Sequence, residues 1–134
     1  VVVKAAQGGY DGRGQWRVDA TSAAAAPAAL YGRLIAERSV RFSRELSLVG
    51  ARAADGRCVF YPLVENRHIE GMLRYTVAPA RAARSAQQRA AQMLQQIMEE
   101  LRYVGVMTVE LFEEEGELLV NELAPRVHNS GHWS

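Results

Sequence analysis

Apolar positions divide the chain into short extended runs and one long helical stripe. Val1–Ala5 (VVVKA) is β-branched and predicts a buried strand. Trp16–Ala20 predicts its return strand, and Leu34–Glu37 a further strand leading into a connector. Glu45–Arg52 (ELSLVGAR) alternates polar and apolar side chains, the period-two pattern of a strand with one buried face. Ala54-Asp55-Gly56 predicts a hairpin turn with Cys58–Leu63 as the partner strand. A second extended pair is predicted around His68–Ile69 and Met72–Val77. Over Arg84–Arg102 the period changes: Ala86, Ala90, Leu94, Ile97 and Leu101 recur at three- and four-residue steps, one stripe of an amphipathic helix. Gly105 lies just past its predicted end. Val106–Phe112 and Leu118–Leu123 predict a last hairpin around Glu114-Glu115-Gly116.

Three stretches break these periods. Gln7–Gln15 (QGGYDGRGQ) holds four glycines in nine residues, which predicts a loop. Thr21 is placed as an N-cap before an alanine-rich segment containing Pro27, which predicts a short helix near Ser22–Leu30. Leu123–Ser134 (LAPRVHNSGHWS) is rich in polar groups and turn formers. The order of elements predicts an α+β class: mostly antiparallel sheet with one long amphipathic helix.

Length and composition narrow the class. A chain of 134 residues predicts one domain with a real core. With 49% hydrophobic and 23% charged residues it is neither a disordered tail nor a fibrous repeat. No apolar run reaches the ~20 residues of a membrane span, which predicts no membrane partner. A formal net charge of +1 is too small for a nucleic-acid-binding field. The single Cys58 excludes an internal disulfide and fits a reducing cytoplasm, the predicted location. Basic residues are 15 Arg against one Lys, so Lys4 stands out as the single compact ammonium.

Two constellations point to chemistry. With a three-residue loop ending on Gly116, Glu113 pairs with Glu117, and Glu110 and Glu122 become diagonal neighbours about 7–8 Å apart. Like charges on a half-buried face call for a cation between them, and Mg²⁺ with its oxygen ligands suits the pair. The alternative is a solvated outer face, and a two-residue turn instead predicts the carboxylates on opposite faces. The glycine loop with Lys4 before it offers backbone N–H groups and a point charge to phosphate oxygens. It matches neither the P-loop nor the dinucleotide fingerprint, and a plain hairpin loop is the alternative. His128 and His132 are four apart, but Pro125, Gly131 and the lack of a third ligand argue against zinc. Cys58 is expected to be core, and His68, in ENRHIEG, a surface or packing residue.

KAAQGGYDGRGQW, the pair Glu37 and Glu45 flanking the connector into RFSRELSLVGAR, and NELAPRVHNSGHW together resemble the ATP-grasp domain of the 5-(carboxyamino)imidazole ribonucleotide synthetases. The resemblance runs from Val3 to Trp133 and implies an α+β ATP-grasp fold acting as a carbon–nitrogen ligase of purine biosynthesis. It implies residues 1–36 as part of a small ATP-binding subdomain and 37–134 as a larger subdomain with the Mg²⁺-binding hairpin. In that reading Lys4 meets ATP phosphates, and Gly9, Tyr10, Asp11, Gly12, Arg13, Gly14 and Gln15 form the loop closing over them. Glu37, Arg38, Ser39 and Val40 meet the adenine, Glu45 takes the ribose, and His68 and Asn121 line the nucleotide site. Glu110 and Glu122 bind Mg²⁺, with Glu122 also at the nucleotide. Arg126, His128 and Asn129 face the bicarbonate-derived intermediate and 5-aminoimidazole ribonucleotide.

The implied reaction is ATP- and bicarbonate-dependent carboxylation through carboxyphosphate, in a homodimeric parent. The family carries further domains on both sides of this region. The chain is therefore expected to be a piece of the enzyme, truncated at both ends and inactive alone. Another purine ATP-grasp ligase, such as the formate-dependent glycinamide ribonucleotide transformylase, is the rival assignment, and a non-catalytic nucleotide-binding module the other.

Overall fold

A computed structural model of the chain describes residues 1–9, 13–18, 32–82 and 84–134. The expected helix near Ser22–Leu30, and Tyr10, Asp11 and Gly12 of the glycine loop, lie outside the described residues. Nine strands and one α-helix are described, and each registered strand pair is antiparallel. The α+β expectation holds.

The chain divides into two compact units, one of Val1–Arg41 with Ile69–Met72 and one of Phe42–His68 with Leu73–Ser134. In the first, β1 (Val2–Ala5) is flanked by β2 (Gln15–Arg17) and β3 (Leu34–Glu37). Val3 pairs with Trp16 on one side and Ala36 on the other, so β1 is the shared centre of the sheet. The predicted return strand ends early, at Arg17.

The second unit is built on β4 (Arg44–Arg52), β5 (Cys58–Phe60), β6 (Val64–Ile69), β7 (Met72–Val77), β8 (Gly105–Glu114) and β9 (Glu117–Ala124). Its order is β7-β6-β4-β8-β9, with β5 also paired to β4. Strand alternation gives this sheet two unlike faces. Leu46, Leu48, Met107, Val109 and Leu111 point to one side, where they join Ala86, Ala90, Leu94 and Met98 of α1 (Arg84–Glu100) in the core. Gly50 faces the same side by alternation, and a side chain is excluded there because a Cβ would lie 2.7 Å from the Phe60 ring and 2.9 Å from Leu94.

Two details of α1 differ from expectation. The buried stripe steps by four through Met98, and Leu101 is 60% exposed. The helix ends before Leu101 in a Schellman motif: Tyr103 N–H bonds Met98 O and Arg102 N–H bonds Glu99 O. The left-handed residue of that motif is Arg102 (φ 50°), and Gly105 instead opens β8.

Candidate nucleotide and metal site

The polar residues of the second unit's sheet gather on the face away from α1. Glu45 pairs with Phe112 and Asn66, and Ser47 pairs with Glu110 and Val64. By alternation, Glu45, Ser47, Asn66, His68, Thr108 and Glu110 therefore share one face. A strand whose other side is filled with leucine and valine is held in register by that core, so these polar groups are presented in fixed order.

Glu122 joins them by a route the hairpin arithmetic did not contain. The turn is two residues, Glu115 (φ 53°) and Gly116 (φ 84°), between Glu114 and its partner Glu117. The expected three-residue loop with Glu113 opposite Glu117 is thus corrected. Carried on regularly, this register would set Glu110 opposite Asn121 and leave Glu122 on the core side. A β-bulge intervenes: Leu111 pairs with Val120, but Glu110 pairs with Glu122. Asn121 is the extra residue, and the two glutamates become direct cross-strand neighbours on the polar face.

His128 anchors Glu110. Its Nε2 lies 2.8 Å from Glu110 Oε1, and both side chains are largely buried. Burial works to raise the Glu110 pKa, but the hydrogen bond from His128, with the Arg126 charge adding to it, outweighs it. The net effect holds Glu110 below the usual carboxylate range. Nδ1 of the same ring accepts the Ser130 backbone N–H and so caps the short 3₁₀ turn Asn129–Gly131. Across the sheet face His68 Nδ1 stands 3.1 Å from Glu45 Oε2, which places His68 in the polar row and not at a free surface.

Of the three residues expected at the reacting end, His128 is buried against Glu110. Arg126 is exposed, with Nη1 on the Val127 carbonyl, and acts on Glu110 through charge. Asn129 is exposed, and its carbonyl accepts the His132 N–H. In the first unit Lys4 Nζ is 2.6 Å from Glu37 Oε2. Lys4 pairs with Ile35, two residues from Glu37, so the contact is a diagonal cross-strand pair. Ser39 and Arg38 are exposed and Val40 is half-buried, while Gly9, Arg13 and Gln15 are exposed and Gly14 is half-buried.

Among the described residues no group of three or more His, Cys, Asp or Glu side chains converges as a metal cluster. Two carboxylates are nevertheless the donor set by which Mg²⁺ is held when phosphates complete its shell. Glu110 and Glu122 fit that role by chemistry and by register. The sequence reading missed Ser47, Asn66, Thr76 and Ser130, which hydrogen-bond in series behind His128. The available signal was polar residues alternating with apolar ones in strands whose other face is core.

The ATP-grasp domain family matches residues 1–134. The chain belongs to the ATP-grasp family. This ATP-grasp chain is 55% identical over 133 residues to the N5-carboxyaminoimidazole ribonucleotide synthase of Escherichia coli, covering 99% of this chain and 38% of that protein. The N5-carboxyaminoimidazole ribonucleotide synthetase of Thermus thermophilus superposes with a TM-score of 0.87 at 47% identity, over 98% of this chain and 36% of that one. The Aspergillus clavatus enzyme, in complex with ADP and 5-aminoimidazole ribonucleotide, superposes at 0.80 with 28% identity, over 98% of this chain and 35% of its own. The chain thus spans little more than a third of the length of these relatives. No described helix is long and apolar enough to cross a membrane.

Proposed function

We propose that this ATP-grasp chain is the nucleotide- and metal-binding part of an N5-carboxyaminoimidazole ribonucleotide synthase. The whole enzyme carboxylates 5-aminoimidazole ribonucleotide with ATP and bicarbonate, by way of carboxyphosphate. The reading rests most on the facing pair Glu110 and Glu122, held on the polar sheet face by a bulge at Asn121 and by His128. Similarity to the Escherichia coli and Thermus thermophilus proteins supports the substrate assignment.

The roles follow from charge and position. Glu110 and Glu122 hold Mg²⁺, which supplies charge neutralisation on phosphoryl oxygens when bound. Lys4, released from Glu37, binds phosphate as a point charge, and residues 9–15 cover it with backbone N–H groups. The connector Glu37, Arg38, Ser39 and Val40 meets the adenine. Glu45, oriented by His68, takes the ribose hydroxyls, and Asn121 lines the nucleotide site. Arg126 and Asn129 receive the bicarbonate-derived group and the amine substrate, and His128, with both ring nitrogens engaged, orients Glu110. No covalent protein nucleophile is needed, since phosphoryl transfer is mainly positioning and charge stabilisation. Work in the cytoplasm as part of a homodimer belongs to the same proposal.

The deciding experiment replaces the matching segment of the Escherichia coli synthase with this chain. Bicarbonate-dependent ADP release with 5-aminoimidazole ribonucleotide, and none with glycinamide ribonucleotide and formate, is expected. A folded, nucleotide-binding chimera that turns over only the second pair would overturn the substrate assignment. One inert with both would leave a binding module. The 134-residue chain alone is expected to bind Mg-ADP weakly and to carboxylate nothing, because it brings together only part of the reacting geometry.

A further inference from the structure

Six side chains form one hydrogen-bonded series across the polar face, from Thr76 at one end to Glu110 at the other. Thr76 Oγ1 is 2.9 Å from Asn66 Oδ1, and Asn66 Nδ2 donates to Ser47 Oγ at 2.8 Å. Ser47 Oγ donates to Ser130 Oγ at 2.8 Å, although the two residues are 83 apart in sequence. Ser130 Oγ is 2.8 Å from His128 Nδ1, and His128 Nε2 is 2.8 Å from Glu110 Oε1. Ser47 and Ser130 are completely buried, and Asn66 and His128 nearly so.

Each hydroxyl has one proton, so the direction of the series is all-or-none. Run one way, each group donates toward His128; run the other way, each donates toward Thr76. The Ser130 backbone N–H breaks the tie. It donates to Nδ1 at 3.3 Å, so Nδ1 holds a lone pair and the ring proton is on Nε2. Ser130 Oγ–H then also donates to Nδ1, Ser47 to Ser130, Asn66 to Ser47 and Thr76 to Asn66. Every member is satisfied in that direction, and the last N–H meets a carboxylate oxygen. Buried polar series of this kind are rigid when fully satisfied, because reversing one member orphans its neighbour.

We infer that Ser130, backed by Ser47, Asn66 and Thr76, is a positioning residue that fixes the His128 ring as its Nε2–H tautomer facing Glu110. One oxygen of Glu110 is thereby tied down and the other, Oε2, is left for a different partner. The consequence for catalysis rests on the metal-binding reading given above, whereas the tautomer does not.

The test uses ring nitrogen shifts in the ¹⁵N-labelled 134-residue chain, with turnover of the Escherichia coli chimera as an independent arm. His128 is expected to show a bare Nδ1 and a protonated Nε2, with His132, exposed, as the averaged control. Ser130→Ala removes the hydroxyl but keeps the backbone N–H on Nδ1, so it is expected to shift His128 only partway toward the averaged pattern, and Thr76→Val, at the far end of the series, by less. In the chimera Ser130→Ala is expected to lower kcat about 10–100-fold, the usual effect of removing a group that orients a ligating side chain, with KM for ATP little changed. A wild-type His128 protonated on Nδ1, or on both nitrogens, overturns the inference. So does a folded Ser130→Ala chain whose His128 pattern is unaltered. If the unmutated chimera is inert, the functional reading fails while the ring spectrum still decides the positioning role.

Discussion

Glu110 and Glu122 face one another across the β8–β9 ladder because Asn121 is bulged out beside them. A carboxylate pair at direct cross-strand distance is unfavourable by itself, and the protein retains it next to the Glu110–His128 hydrogen bond. A phosphate-bound Mg²⁺ would relieve the repulsion.

Glu110→Gln and Glu122→Gln are therefore expected to weaken Mg-ADP binding by about tenfold or more, since a lost contact to a charged group is worth about 1.5–3 kcal/mol. Calorimetric titration of the chain with ADP, with and without Mg²⁺, measures it. Both variants should keep the wild-type circular dichroism spectrum. Equal loss of metal-free ADP affinity would point to a general nucleotide contact and not to a metal ligand.

Stability should carry the mark of Glu110 at acid pH. Its folded pKa is depressed, so its contribution is complete above the unfolded value of about 4.3. That contribution is lost as pH falls through the still lower folded value. Urea denaturation at pH 7 and pH 3 is expected to show Glu110→Gln less stable than wild type at pH 7, with the gap closing at pH 3. A gap that stays constant would contradict the assignment.

Gly50→Ala is expected to destabilise the second unit by about 1–3 kcal/mol through overpacking against Phe60 and Leu94. Thermal denaturation measures the loss, and adding Phe60→Leu should recover part of it. An additive double mutant would show that the ring is not what the new methyl meets.

Arg102→Gly should stabilise. Arg102 occupies the left-handed position after α1, where an L side chain costs about 1–2 kcal/mol. Glycine removes that cost and returns part of it through the looser unfolded chain. A net gain of about 1 kcal/mol, or roughly 3–5 °C in Tm, is expected for a domain of this size. A fall in Tm would mean that the arginine side chain contributes more than its backbone strain costs.

Breaking the Arg44–Glu113 pair tests the end of the core face. The two residues are direct cross-strand partners 2.5 Å apart, with Glu113 only 8% exposed. Arg44→Met leaves that carboxylate without its guanidinium and is expected to cost about 1–3 kcal/mol. Arg44→Met with Glu113→Leu should recover most of the loss, as read by urea denaturation.

The sequence alone determined the elements whose signal is local. The strand Leu34–Glu37 begins and ends where the pattern placed it, and β4 and α1 start within a residue of expectation, because period and composition act over a few residues. Family membership was equally legible, since PRVHNSGHW and GGYDGRGQ are contiguous. Tertiary structure decided what depends on residues far apart. Leu101 reads as one more apolar step, yet the backbone turns at Arg102 before it can be buried. The hairpin arithmetic led to the right pair of glutamates through the wrong loop, because nothing local marks a bulge at Asn121. Ser47 and Ser130 carry no signal of their own: only the folding of the C-terminal turn across β4 brings their hydroxyls together, and that contact orients His128 toward Glu110.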